Sequence, residues 1–218
     1  MHGRRVAARR WTLTLAATAA LALPATQATA APATLPARPA ALAPAHGGLA
    51  QLKGVNYKAW QRDVEAVVAT ARPYLDERTA NASDERLAIV LDVDNSSLET
   101  DFHFFWEYPT PAIAPVRDLV QRAHARGVAV FFVTARPGII YSLTEHNLKS
   151  VGYPVDGLYV RDLPDLFEEV SAYKTEKRAE IEAKGYTIIA NIGNRSTDLT
   201  GGHAERTFKL PDYDGKLS

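Results

Sequence analysis

The chain has 218 residues, with 25 lysines and arginines, 25 aspartates and glutamates, and no cysteine. The lack of cysteine excludes disulfides, cysteine-ligated zinc and thiol nucleophiles. The balanced charge lacks the basic excess that nucleic-acid binding requires, so we expect no nucleic-acid partner.

The first 30 residues have the pattern of a secretory signal peptide. Four arginines precede an apolar run at 11–23, and Ala28-Thr29-Ala30 supplies a small-x-small cleavage site. The apolar run is shorter than the roughly 20 residues that span a bilayer. We therefore predict a secreted protein whose mature chain has no stable membrane anchor. Removal of this segment would change the formal charge from zero to −4, because it holds four arginines and no acidic residue.

Residues 31–54 are predicted to be a linker, and residues 55–218 the folded domain. The stretch APATLPARPAALAPAHGG (31–48) is rich in alanine and proline and nearly uncharged, which is typical of an extended tether. The residues that follow are enough to bury one hydrophobic core.

Apolar residues at helical spacing from Tyr57 to Ala71 predict a first helix, which Pro73 ends or kinks. After it, short apolar runs that predict strands alternate with helical patterns. The predicted strands are LAIVL (87–91), VAVFFV (128–133), LYV (158–160), YTIIANI (186–192) and RTFKL (206–210); the predicted helices are 115–127, one closed by Gly152, and 174–185. This alternation predicts a largely parallel sheet with helices on both faces, a three-layer α/β domain.

Polar side chains follow three of these strands and begin one helix. They are Asp92 and Asp94 after the first strand, Thr134 after the second, Asn194 and Asp198 after the fourth, and Lys174 and Lys177 on the helix before it. In open parallel sheets, ligands bind beyond the carboxyl ends of the strands. We therefore expect these side chains to form one site at that edge of the sheet.

This set of side chains suits phosphoryl transfer through an aspartyl-phosphate. Taken singly, each is more often a helix cap, a turn or a solvated helix face. Together, they offer a carboxylate to attack phosphorus and a second one, two residues on, to move the proton. Mg²⁺ and an ammonium group would offset the repulsion between two anions. The combination predicts an enzyme.

Four motifs resemble those of the haloacid dehalogenase (HAD) superfamily of phosphohydrolases. They are LDVDNSSLETDF (91–102), FFVTARP (131–137), YKTEKRAEIEAKGY (173–186) and NIGNRSTDLTGG (191–202). The resemblance is strongest to secreted acid phosphatases of class B and subfamily IIIB, which are related to plant vegetative storage proteins. It implies a HAD-like (Rossmann-like) fold with a small or minimal cap, Mg²⁺ as cofactor, and a small phosphomonoester substrate such as a nucleotide or aryl phosphate.

The resemblance also implies roles for single residues. Asp92 is similar to the family's nucleophile and metal ligand, and Asp94 to its general acid/base, with a main-chain carbonyl on the metal. Thr134 matches the hydroxyl that binds the phosphoryl group. Lys174 matches the phosphate-stabilising lysine, and Lys177, one helical turn on, is its competitor.

The fourth motif implies the remaining metal ligands, Asn194 and Asp198. The family commonly has an aspartate where this chain has Asn194. An asparagine carbonyl can still ligate Mg²⁺, but the site loses one negative charge. We expect weaker metal affinity, or a larger share of the binding for Asp198.

Six aromatic or histidine side chains are crowded between positions 102 and 108, just after the first motif. They predict either ordinary core packing or a flat wall over the site, suited to a nucleoside base or an aryl group. The short insertion argues against a large cap domain.

Two other functions remain open. Asn194 favours a storage-like protein that binds phosphate or phosphoesters with little catalysis. A glycosidase is a weaker alternative, because the carboxylates of an inverting pair lie roughly 6.5–9.5 Å apart, and a two-residue spacing beside lysines fits that poorly.

Overall fold

The computed structural model describes residues 50, 53–80 and 84–218. The predicted signal peptide, 1–30, and nearly all of the predicted linker, 31–54, lie outside the described residues. Within the linker range, Ala50 is buried and its carbonyl oxygen accepts a hydrogen bond from the Val55 N–H. The packed domain therefore includes Ala50. No helix among the described residues has both the length and the apolar character needed to cross a membrane.

Five parallel strands form one sheet in the order β3-β2-β1-β4-β5. They are β1 Leu87–Leu91, β2 Ala129–Pro137, β3 Gly157–Arg161, β4 Thr187–Gly193 and β5 Thr207–Lys209. Each lies where an apolar run predicted it, and β1 is central. The prediction of a parallel α/β sheet is confirmed.

In the part of the chain that the structure describes, five α-helices surround the sheet. They are α1 Tyr57–Ala80, α2 Ala114–His124, α3 Tyr141–Ser150, α4 Val170–Ala183 and the single turn α5 Ser196–Leu199. The prediction that Pro73 could end the first helix is wrong, because α1 continues for seven residues beyond it. Apolar side chains on both sides of the proline, among them Val68 and Leu75, are buried against the core and hold the helix together.

The side chains of β1 show why both faces of the sheet are covered. Leu87, Ile89 and Leu91 belong to a cluster that includes residues of α1 and α2. The alternating residues Ala88 and Val90 belong to a second cluster, with residues of α4. Successive side chains of a strand point to opposite faces, so both faces of β1 need an apolar cover.

The connection from β1 to α2, residues 92–113, holds a 3-10 turn, Thr100–Phe102, and two isolated β-bridges, Asp94 with Leu98 and Leu98 with Ala112. Two further 3-10 turns, Gly138–Ile140 and Asp165–Phe167, follow β2 and β3. No separate cap domain is formed by the described residues, as expected for a minimal cap.

Candidate active site

A cavity of about 350 Å³ lies at the carboxyl edge of the sheet. Its lining includes four of the predicted site residues, Asp92, Asp94, Lys174 and Asp198, together with Ala135 of β2. These groups are far apart in the sequence and meet because parallel strands present their carboxyl ends at one edge.

Asp92 follows β1 directly and is only 7% exposed. Its Oδ1 accepts a hydrogen bond from Lys174 Nζ at 2.6 Å, and its Oδ2 accepts one from Ser96 Oγ at 2.9 Å. Burial raises the pKa of Asp92, the Lys174 charge opposes that rise, and the nearby carboxylates of Asp198 and Asp94 add to it. The net result is a pKa of about 6.

Lys174 is buried between two carboxylates. Its Nζ also donates to Asp198 Oδ1 at 2.7 Å. Burial lowers the pKa of Lys174, but the negative charges of Asp92 and Asp198 outweigh that effect. The net pKa of Lys174 is raised, and its ammonium group stays charged. Lys177 instead donates to Glu180 at 2.6 Å and to Glu176 at 3.3 Å. Of the two candidate lysines, the fold brings Lys174 to Asp92.

Asp198 holds Lys174 in place and is itself fixed by the main chain. Its second oxygen, Oδ2, accepts the Arg195 N–H at 2.7 Å and so caps the first turn of α5. The close approach requires a glycine on β4, because a Cβ at Gly193 would lie 2.4 Å from the Asp198 Cβ. Both carboxylate oxygens of Asp198 therefore accept N–H donors.

Asp94 pairs with an arginine that the sequence reasoning gave no role. Arg136 donates to Asp94 Oδ1 through Nη2 at 2.7 Å and to Oδ2 through Nε at 3.0 Å. Burial raises the pKa of Asp94, but the Arg136 hydrogen bonds and charge outweigh it, and the net pKa is lowered. The sequence did offer a signal for this pair. Arg136 is a cation at the end of the second predicted strand, and Asp94, after the neighbouring strand, had no basic partner assigned to it.

Thr134 lies inside β2 and is fully buried. Its Oγ1 accepts the N–H of Arg136 at 3.2 Å. The residue of this strand that lines the cavity is its neighbour Ala135. Thr134 therefore helps to hold the main chain at Arg136, near the end of the same strand.

Asn194 is fully buried at the end of β4. Its Oδ1 accepts a hydrogen bond from Ser96 Oγ at 3.1 Å, and its main-chain N–H donates to the same Ser96 oxygen at 3.0 Å. Its Nδ2 donates to the main-chain oxygen of Ser218 at 2.9 Å. One hydroxyl, that of Ser96, therefore bridges Asn194 and Asp92.

A model of the family described as HAD superfamily, subfamily IIIB (acid phosphatase), matches residues 101–216. The chain belongs to this family. The resemblance drawn from the four motifs is thereby confirmed.

This chain is similar to several curated proteins, in each case over part of that protein's length. The Stem 28 kDa glycoprotein of Glycine max is 33% identical over 106 residues, which cover 47% of this chain and 42% of that protein. Acid phosphatase 1 of Solanum lycopersicum is 29% identical over 156 residues, covering 70% and 56%. Vegetative storage protein 1 of Arabidopsis thaliana is 29% identical over 104 residues, covering 47% and 38%. The chain thus spans about half, or less, of the length of these relatives.

The fold matches a solved structure, the class C acid phosphatase from Bacillus anthracis with tungstate bound. The TM-score is 0.60 at 18% sequence identity, and the match covers 76% of this chain and 83% of that chain. This likeness confirms the predicted HAD-like fold.

The oxygen donors of this subfamily IIIB member suit a hard cation. Among the described residues, no group of three or more His, Cys, Asp or Glu side chains is arranged to hold a metal ion. The available donors are instead a carboxylate, an amide and a main-chain carbonyl. The Ser96 hydroxyl has one proton to share between Asp92 Oδ2 and Asn194 Oδ1, so one of these oxygens lacks it. Mg²⁺ prefers such oxygen ligands.

The aromatic segment after the first motif divides between core and surface. Phe102 is buried and stacks on Trp60, with ring centroids 4.2 Å apart. Phe105 is 92% exposed and Trp106 is 63% exposed. Core packing is therefore correct for Phe102, and the wall over the site stays a prediction for the exposed rings.

Proposed function

We propose that the protein is a Mg²⁺-dependent phosphomonoesterase that works through a phosphorylated Asp92. The observation that carries the proposal is the buried group Asp92–Lys174–Asp198, which lines the same cavity as Asp94. A charged ammonium held against a carboxylate in a cavity lets that carboxylate approach a phosphate dianion. Membership of an acid phosphatase family supports the same conclusion.

In the first step, a carboxylate oxygen of Asp92 forms a bond to phosphorus while the bond from phosphorus to the ester oxygen breaks. Asp94 gives a proton to the departing oxygen, and because Arg136 lowers the pKa of Asp94, low pH favours this step. In the second step, Asp94 takes a proton from water, the water oxygen bonds to phosphorus, and Asp92 leaves as a carboxylate. Lys174 stabilises the charge on the phosphoryl oxygens throughout, and Arg136 holds Asp94 in place.

Asp92, Asn194 and the main-chain carbonyl of Asp94 would hold the metal in this proposal. The ion supplies charge neutralisation for the phosphoryl group. Asp198 is assigned to Lys174 rather than to the metal, since its two oxygens already accept hydrogen bonds from Lys174 and from the main chain of Arg195. This revises the ligand set that the family resemblance implied.

The exposed rings of Phe105 and Trp106 do not line the cavity itself; they are proposed to contact an aryl or nucleoside leaving group that extends beyond it. Trp106→Ala should raise KM for p-nitrophenyl phosphate and leave KM for glycerol phosphate unchanged. Equal effects on both esters would contradict this role.

The first test is hydrolysis of p-nitrophenyl phosphate by the protein from Ala31 onwards, across pH 4–9. Turnover should require Mg²⁺, disappear in EDTA and return when Mg²⁺ is added in excess. Turnover that persists unchanged in EDTA would contradict the metal dependence.

Export is proposed on the signal-peptide pattern of residues 1–30. Fractionation of expressing cells, with N-terminal sequencing of the secreted chain, tests it. A protein that keeps its first 30 residues and stays inside the cell would contradict it.

The second candidate function is phosphoester binding with little turnover. Asn194 favours it, because a neutral ligand in place of a carboxylate weakens metal binding. Calorimetric binding of phosphate, together with no turnover at any pH or Mg²⁺ concentration, would select this candidate.

A further inference from the structure

The segment Pro211–Ser218, here called the strap, follows β5 and packs against the site. Leu217 is fully buried in the apolar cluster shared with α1 and α2. Its N–H donates to the carbonyl oxygen of Asp212 at 3.0 Å, and Arg195 Nη1 donates to its carbonyl oxygen at 3.2 Å. The strap is therefore held both by apolar burial and by hydrogen bonds.

Ser218 of the strap is bound by three buried side chains from two loops. Asp101 accepts its N–H at 2.8 Å and its hydroxyl at 2.9 Å. The Nδ2 atoms of Asn95 and Asn194 both donate to its main-chain oxygen, at 3.1 and 2.9 Å. All three side chains are buried. Buried polar groups need hydrogen-bond partners, so these three side chains form a specific binding site for Ser218.

These contacts fix which way the amide of Asn194 points. A carbonyl oxygen can only accept, so Nδ2 must face Ser218 and Oδ1 must face Ser96, whose hydroxyl also contacts Asp92. The opposite orientation would place two acceptors against each other at the strap and turn an NH₂ group toward the site. An NH₂ group there would repel a cation.

We propose that the strap positions Asn194, and that asparagine stands at this position because the strap is there. An aspartate at 194 would set a carboxylate oxygen against the main-chain oxygen of Ser218, in place of the present 2.9 Å hydrogen bond. The strap and Asn194 are thus one unit. The part of this inference that concerns Mg²⁺ rests on the proposed function; the coupling between strap and side chain does not.

The coupling is tested by thermal unfolding in EDTA at pH 8, with a double-mutant cycle. The cycle combines Asn194→Asp with a chain ended after Leu217, which lacks the Ser218 oxygen. Asn194→Asp should lower the Tm at least about twice as much in the full chain as in the shortened chain. Asp101→Ala, which removes both acceptors that hold Ser218, is a second way to release the strap. In that background too, Asn194→Asp should lower the Tm by less than in the full chain.

Asn191→Asp is the matched control. Asn191 is also buried on β4, and its Nδ2 donates to the main-chain oxygen of Asp198 at 2.8 Å, not to a residue of the strap. Its loss of Tm should be the same in the full and shortened chains. Equal losses for Asn194→Asp in both chains would overturn the proposal.

Mg²⁺ binding, measured by calorimetry without substrate, gives the second readout. The shortened chain should bind Mg²⁺ about ten-fold more weakly than the full chain, because its Asn194 amide is free to rotate. Equal affinity would overturn the positioning role. No Mg²⁺ binding by the full chain would contradict the proposed function instead, and the unfolding cycle would still decide the coupling.

Discussion

Lys174 Nζ lies 2.6 Å from Asp92 Oδ1, with both side chains buried at the carboxyl edge of the sheet. The same ammonium lies 2.7 Å from Asp198 Oδ1. Two carboxylates thus share one cation in a place that water hardly reaches. Such an arrangement keeps Asp92 oriented toward the cavity and makes Lys174 indispensable to the charge balance of the site.

Lys174→Met should therefore both abolish turnover and destabilise the fold. Removing one partner of a buried ion pair typically costs about 3–5 kcal/mol, because the remaining charges lose their compensation. We expect a loss of that size in the free energy of urea unfolding at pH 8, and a smaller one at pH 5, where Asp92, with its pKa raised to about 6, takes up a proton.

Lys177→Met is the matched control on the same helix. Its partners Glu176 and Glu180 are solvent-exposed, and pairs of this kind contribute about 1 kcal/mol or less. Turnover should stay at the wild-type level. If the two variants behaved alike, the distinction between the lysines would be wrong.

Arg136 is predicted to set the pH dependence of turnover. Its charge and hydrogen bonds lower the pKa of Asp94 against the effect of burial, so that Asp94 loses its proton at a lower pH than it would alone. Arg136→Gln removes that charge, raises the pKa of Asp94 and keeps it protonated to higher pH. The profile of kcat/KM against pH should therefore shift to higher pH.

The comparison for this prediction is Arg117→Gln, which removes an arginine paired with Asp118 on the surface of α2. Its profile should overlay that of the wild type. An unshifted profile for Arg136→Gln would remove Asp94 from the proton-transfer steps.

The sequence predicted the strands well, because each is a continuous apolar run that becomes buried on both faces of a parallel sheet. It left open whether Pro73 ends or kinks the first helix, since local preference counts against a proline inside a helix, whereas the burial of Val68 and Leu75 lets the helix continue. Local preference is a property of the sequence window, and burial is a property of the whole fold.

The sequence predicted most residues of the site, but not which of them contact each other. Arg136 lies 42 residues from Asp94, and Ser218 lies 24 residues from Asn194. The motifs place such residues at one edge of the sheet, but only the folded chain determines which of them touch. The choice of Lys174 over Lys177 likewise depends on how α4 is rotated about its axis.

The metal-free protein should lose stability as the pH rises through the pKa of Asp92. Burial raises this pKa to about 6 despite Lys174, from an ordinary value of 3.8 in the unfolded chain. Between these values the folded state binds a proton that the unfolded state does not, so its stability falls as the pH increases.

Asp92→Asn removes this titration. Relative to the wild type, its free energy of unfolding in EDTA should increase by about 2 kcal/mol from pH 4.5 to pH 7.5. Urea unfolding at the two pH values measures it, with the exposed substitution Asp118→Asn as the comparison. A constant difference between Asp92→Asn and the wild type would show that Asp92 does not titrate in this range.

The central claim is that Asp92 carries the phosphoryl group, and turnover of p-nitrophenyl phosphate by Asp92→Asn in saturating Mg²⁺ tests it most directly. We predict that kcat falls by about 10³-fold or more, while the variant unfolds cooperatively and Asp118→Asn keeps wild-type turnover. A folded Asp92→Asn protein that hydrolyses the ester at the wild-type rate would contradict the account.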